Sequence, residues 1–151
     1  MKILFLDVDG PLIPARMYYN NLKSAQYWDG TWKYDPVAVD MIKALLEKYP
    51  DLRLVYNSSH NNDGKAHMLS QALNNGFKST DLHESDWITE FPLTTLRRMD
   101  AISKWLTEHS GVTKWAVFDD AKLDHPNAIL INFNHGITLD DYQKAEKLLN
   151  D

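Results

Sequence analysis

The chain has no cysteine among its 151 residues. Disulfides, thiolate zinc sites and cysteine nucleophiles are therefore excluded. It also lacks a long apolar run: nothing approaches the roughly 20 residues needed to cross a bilayer. The opening Met1-Lys2-Ile3-Leu4-Phe5-Leu6-Asp7 does not read as a signal peptide, because a carboxylate cuts the apolar stretch after four residues. No membrane association is expected, and a cytoplasmic location is the default. A basic excess is missing too. With 16 Lys and Arg against 21 Asp and Glu, the formal net charge is -5, which argues against a general polyanion binder. The six histidines show no metal-ligand spacing. Apolar residues at 44% and charged residues at 25% are an ordinary globular balance, and the length suits one domain.

Short apolar runs alternate with amphipathic stretches. Ile3–Leu6, Leu52–Tyr56, Trp115–Phe118 and Ala128–Ile131 read as buried strands. Asp35-Pro36 opens a helix whose apolar stripe is Val37, Met41, Ile42, Leu45 and Leu46, stopped by Pro50. Residues 65–75 read as a helix closed by Gly76. Thr94 or Thr95 is expected to cap a helix carrying Leu96, Met99, Ile102 and Leu106. Thr138 is expected to cap the last, with Leu139, Tyr142, Leu148 and Leu149. That order predicts an α/β fold: a doubly wound, mainly parallel sheet with helices on both faces. Residues 77–93 are ambiguous. Residues 12–34 hold Tyr18, Tyr19, Tyr27, Trp28, Trp32 and Tyr34 with no helical period, and are read as an irregular or hairpin insert.

Three predicted strands end in polar groups whose chemistry is complementary. These ends are Asp7-Val8-Asp9-Gly10, Asn57-Ser58-Ser59 and Asp119-Asp120. In an open parallel sheet such ends form the ligand site. Residues 7 and 9 share a side while the chain stays extended, so their carboxylates are expected close together and in need of a cation. Oxygen-only ligation suits magnesium. A calcium loop counted from Asp7 fails, since its sixth and twelfth places hold Leu12 and Tyr18. Gly10 permits a tight turn and a close approach to ligand. One Asp is suited to attack phosphorus and another to move protons, with Ser58 holding a phosphate oxygen.

Phe5-Leu6-Asp7-Val8-Asp9-Gly10 resembles the first motif of the haloacid dehalogenase (HAD) superfamily, and Leu54-Val55-Tyr56-Asn57-Ser58 is similar to its second. Val117-Phe118-Asp119-Asp120 looks like the acidic fourth motif. The resemblance runs from residue 3 to about 149. It implies a magnesium-dependent phosphatase with Asp7 as nucleophile. Asp9 would be the acid/base and would give its carbonyl to the metal. Asp119, with Asp120, would complete the ligands, and Asp124 would support them. Ser58, or its rival Ser59, would hold the phosphate. Arg98 fits the third-motif cation, with Arg97 and Lys104 as alternatives. Pro11 stands where the family commonly has Thr. Asn134-His135-Gly136-Ile137-Thr138 and the helix after it look like small, cap-poor HAD proteins, including HAD domains linked with RNA repair.

The expectation is thus a single HAD-like domain over residues 1–151, with an aromatic insert at about 12–34 and no large cap. Its partner is a phosphorylated substrate: a small molecule, a nucleotide or a nucleic-acid end. Asn57, His60 and the rings of Trp28 and Trp32 are candidate substrate contacts, the rings either as a stacking flap or as a plain hydrophobic cover. Two rival readings are a receiver-type phosphoacceptor domain and a non-catalytic HAD fold. Receivers place their phosphorylated Asp at a mid-chain strand end and a Lys at a late one, where this chain has Asn57-Ser58 and Asp119-Asp120.

Overall fold

A computed structural model describes residues 1–23, 32–90 and 97–151. Four strands, β1 (Lys2–Leu6), β2 (Leu52–Tyr56), β3 (Lys114–Asp119) and β4 (Ala128–Leu130), form one sheet in the order β2-β1-β3-β4. Every pairing is parallel, with Leu6 opposite Tyr56 on one side and Phe118 on the other. The helices are α1 (Ala15–Lys23), α2 (Pro36–Lys48), α3 (Lys65–Asn74), α4 (Arg98–Glu108) and α5 (Leu139–Leu149).

β1 is apolar at nearly every position because it is flanked on both edges and covered on both faces. Alternate residues serve different layers. Ile3, Phe5, Val55 and Val117 pack under Ile102 and Trp105 of α4, with Phe5 meeting the Trp105 ring edge-on at 5.4 Å. Leu4, Leu6, Leu54, Tyr56, Ala116 and Phe118 face a larger cluster built from α2, α3 and α5. Helices therefore cover both faces, as the alternation of elements predicts, and the described residues include no large cap. Among them no helix is long and apolar enough to cross a membrane.

The terminal signals act as their chemistry suggests. The Asp35 side chain accepts from the Val37 N–H with Pro36 at the first helical position. Thr138 and Asp141 form a reciprocal capping box. Gly76, at φ +94°, ends α3: its N–H donates to Leu73 and that of Phe77 to Ala72.

Three expectations change and one ambiguity is resolved. Residues 15–23 form helix α1 rather than an irregular or hairpin segment. Its inner face carries Met17 and the buried Asn21, whose amide bonds to the Lys33 backbone, so a polar residue stands where an apolar one would have shown a helical period. Val37 and Leu139 are solvent-facing, at 50% and 62% exposure, while Ile42 and Leu45 on α2 and Leu149 on α5 are buried as expected and are joined there by Ala38, Val39, Asp141 and Ala145. Helix α4 begins at Arg98 with Arg97 in the N-cap position, and Thr94, Thr95 and Leu96 lie outside the described residues. The ambiguous stretch after α3 runs beside β2, with the Tyr56 N–H donating to Trp87 and the Thr89 N–H to Tyr56, which covers that edge of the sheet.

Candidate active site

The strand order reverses between β1 and β3, so the switch point of the sheet lies where β1 ends in Asp7 and β3 in Asp119. Both side chains are about 1% exposed. Carboxylate oxygens of Asp7, Asp119 and Asp120 lie within 4.8 Å of one another. Asp7 Oδ1 accepts the Val8 N–H at 2.8 Å, and Asp119 Oδ1 accepts that of Ala121 at 2.8 Å. Asp7 Oδ2 is buried without a hydrogen bond. Arg98 Nη1 stands 3.0 Å from it but is directed to Asp119 Oδ2, at 2.9 Å.

One guanidinium thus pairs with two of the three carboxylates. Burial first, and the neighbouring Asp119 second, push the Asp7 carboxyl well above its ordinary value, and burial raises Asp119 as well. Bare, the group must hold a proton or a further cation. A hard divalent ion fits the donors: they are all oxygens, they converge, and the unbonded Asp7 Oδ2 is an acceptor left over for it. Gly10, at φ +98°, lies against Asp120. A Cβ there would sit 2.6 Å from Asp120 Cβ, so only glycine lets the first loop pass this close.

Asp9 departs from expectation. Its carboxylate does not join the Asp7 group, because the chain turns at Val8, whose carbonyl accepts from Leu12 and Ile13. Instead Asp9 Oδ1 accepts the Tyr18 hydroxyl at 2.5 Å, and Oδ2 lies 3.2 Å from His60 Nε2. His60 first, with Tyr18 also contributing, holds Asp9 below the usual carboxylate value. Burial and then Asp9 raise the Tyr18 phenol, which keeps it a donor.

Ser58 is fully buried, accepts the His60 N–H at 3.2 Å and retains its own hydroxyl proton; Ser59 is exposed. Asn57 is also fully buried. Its amide donates to the Arg98 carbonyl at 3.3 Å and accepts from Thr89 Oγ1 at 2.6 Å, so it fastens the start of α4. Arg97 is exposed, and Lys104 pairs with Glu90 and Glu108. Asp124 is exposed and outside the acidic group. The Trp32 ring stands edge-on to His60 and to Tyr18, at 6.1 and 6.3 Å. Trp28 and Tyr27 lie outside the described residues.

Sequence reasoning missed Tyr18, Thr89 and Phe133 as parts of this region. Tyr18 sat in an aromatic stretch without period. Thr89 comes to Asn57 only by the pairing of its strand-like segment with β2.

Residues 3–142 match the family described as HAD domain in Swiss Army Knife RNA repair proteins. The chain belongs to this HAD family. No curated protein and no solved structure matches it. HAD membership supports a hydrolase of the phosphatase or phosphoesterase kind. HAD enzymes generally use a divalent metal, and the Asp7, Asp119 and Asp120 carboxylates form an acidic group able to hold one.

Proposed function

We propose that this HAD domain is a magnesium-dependent phosphomonoesterase that removes a terminal phosphate from a nucleotide or polynucleotide, RNA above all, through an aspartyl-phosphate on Asp7. The observation that carries the reading is the buried Asp7 Oδ2, unbonded in a group where carboxylates outnumber the cation beside them. Asp7, Asp119 and Asp120 would hold magnesium by their side chains and Asp9 by its carbonyl. The ion would offset repulsion between the Asp7 carboxylate and the incoming phosphate.

The protein groups divide the rest of the work. Ser58, through its remaining hydroxyl proton, and Arg98, through its guanidinium, bind the phosphate oxygens and steady the transferring group. An Asp7 oxygen attacks phosphorus as the ester bond breaks, and the leaving oxygen takes a proton from Asp9. Asp9 then removes a proton from water. That water attacks phosphorus, the Asp7–phosphate bond breaks, and inorganic phosphate leaves. Tyr18 and His60 fix the orientation of the Asp9 carboxylate and hold it ionised in the free protein, so the proton it passes to the leaving oxygen arrives with the bound phosphate monoanion. We read the whole chain as one domain in which α1 and its neighbours form a small insert rather than a cap. A site without a large cap admits a bulky end, and the RNA repair setting of the family agrees with a nucleic-acid terminus.

The test is magnesium-dependent phosphate release from a panel of nucleotides, 3′- and 5′-phosphorylated oligoribonucleotides, sugar phosphates and phosphopeptides. Nucleic-acid ends should lead the panel, and beryllium fluoride should inhibit by occupying Asp7. A phosphatase-inactive protein that still takes up phosphate from a small acyl phosphate would favour the receiver-type reading instead.

A further inference from the structure

Around Asp9 four aromatic side chains stand in an unbroken row. His60 meets Trp32 at 6.1 Å, Trp32 meets Tyr18 at 6.3 Å, and Tyr18 meets Phe133 at 5.8 Å, tilted by 43°. The row is built from separate parts of the chain. Tyr18 comes from α1 and His60 from the turn after β2. Phe133 lies in the loop after β4, where its carbonyl accepts the Ala15 N–H and ties that loop to the start of α1. Two members, Tyr18 and His60, hold the Asp9 carboxylate between them. Phe133 ends the row and is 40% exposed. The inner rings are packed, and Phe133 leaves a phenyl face open to solvent at this rim.

We infer that this row is the subsite for the leaving nucleoside, with Phe133 the face on which the base of the phosphorylated terminal nucleotide stacks. The inference rests on the phosphatase reading in one respect: Asp9 gives its proton to the leaving oxygen, so the group attached to that oxygen must lie on the Asp9 side. There the wall is aromatic, and its outermost ring is open to solvent. A sugar or a phosphoserine peptide offers it no aromatic face, whereas every nucleobase does. The charge of the chain points the same way. At a net -5 it lacks the overall field that draws a polyanion backbone, so grip on the nucleotide beyond what Ser58 and Arg98 give its terminal phosphate has to come from other contacts. Stacking supplies that grip and is indifferent to base identity.

The experiment measures equilibrium binding of the full chain to a short fluorescent oligoribonucleotide with one terminal phosphate. The phosphorylated nucleotide carries its base in one probe and is abasic in the other, and 3′ and 5′ ends form separate arms. Wild-type protein should bind the base-bearing probe about 5- to 100-fold more tightly in one of the arms. Phe133→Ala should bring the two probes within about twofold, while Phe133→Tyr, which keeps the ring, should preserve the gap. In Phe133→Ala, kcat/KM should fall more on the base-bearing oligonucleotide than on glycerol phosphate. Equal binding of both probes by wild type, an undiminished gap in Phe133→Ala, or an equal loss on glycerol phosphate would each overturn the subsite. Failure of wild type to hydrolyse any phosphoester would instead remove the phosphatase reading, and the binding comparison would still decide whether the rings hold a base.

Discussion

Two groups of titratable side chains in this molecule look alike in composition and differ in what they leave open. Asp7, Asp119 and Asp120 meet at the rim of the sheet. His83, Asp86 and His109 meet where the segment beside β2 packs on α4. Each brings three potential ligand atoms within 4.8 Å of one another. In the second group most of the polar atoms are already paired. His83 Nδ1 accepts the N–H groups of Asp86 and Ser85, at 3.1 and 3.4 Å. His109 Nδ1 lies 2.6 Å from the Trp105 carbonyl and Nε2 2.9 Å from Asp86 Oδ2, while the ring stacks on Trp105 at 3.7 Å. Both His109 nitrogens are engaged, and even with His83 Nε2 and Asp86 counted the group offers three residues, fewer than the four ligands of a closed zinc site. That group is a clamp between two segments. The acidic group is the reverse: a buried oxygen without a bond and an excess of negative charge. Proximity of ligand types is common to both; an unsatisfied atom separates a site from a brace.

The comparison breaks most plainly at Asp7. Asp7→Asn should lower kcat/KM by several orders of magnitude on any phosphoester, as expected when a nucleophile is removed. It should also raise the stability of the metal-free protein by about 1 kcal/mol, because one buried like charge disappears. Added magnesium should raise the melting temperature of wild type and leave that of Asp7→Asn nearly unmoved. A variant that is both active and less stable would mean that Asp7 belongs to a brace after all. Gly10→Ala is the next largest. Its Cβ would stand 2.6 and 2.9 Å from Asp120 Cβ and Cγ, on a backbone at φ +98°. The expected cost is about 1–3 kcal/mol by thermal unfolding, with a weaker magnesium-induced shift as Asp120 is displaced. Tyr18→Phe should be milder. Removing one of the two groups that hold Asp9 should lower kcat on alkyl phosphates about tenfold while sparing aryl phosphates, whose leaving oxygens need little protonation.

The acidic side of this comparison was legible in the sequence and the rest was not, for a physical reason. A buried parallel strand writes itself as an apolar run, so the ends of β1 and β3, and with them Asp7 and Asp119, could be placed from one dimension. The orientation of Asp9 could not. It depends on a turn at Val8 and on partners 9 and 51 residues away. Helix α1 was hidden because Asn21 is buried by hydrogen bonds, and a buried amide carries no apolar signal. The histidine clamp was invisible because its members, spaced 3 and 23 residues apart, meet only through the packing of the segment 82–89 beside β2.

The smallest effect tests the clamp itself. Burial first, and His109 second, hold the His83 imidazole below its ordinary value of 6.5. The unfolded chain therefore takes up a proton at a higher pH than the folded one. Between these two values the unfolded state binds more protons, so stability rises with pH there and falls as pH drops below about 6.5. His83→Gln should flatten that part of the stability profile in urea unfolding. His109→Ala, which removes the Asp86 contact and the Trp105 stack, should cost about 1–2 kcal/mol at neutral pH. Neither variant should alter phosphate release by more than about twofold under conditions where the protein is folded, since a brace contributes to stability without touching substrate. Zinc should stabilise neither wild type nor the variants. A zinc-dependent rise in melting temperature that vanishes in His109→Ala would turn the brace into a second site and erase the distinction between the two groups.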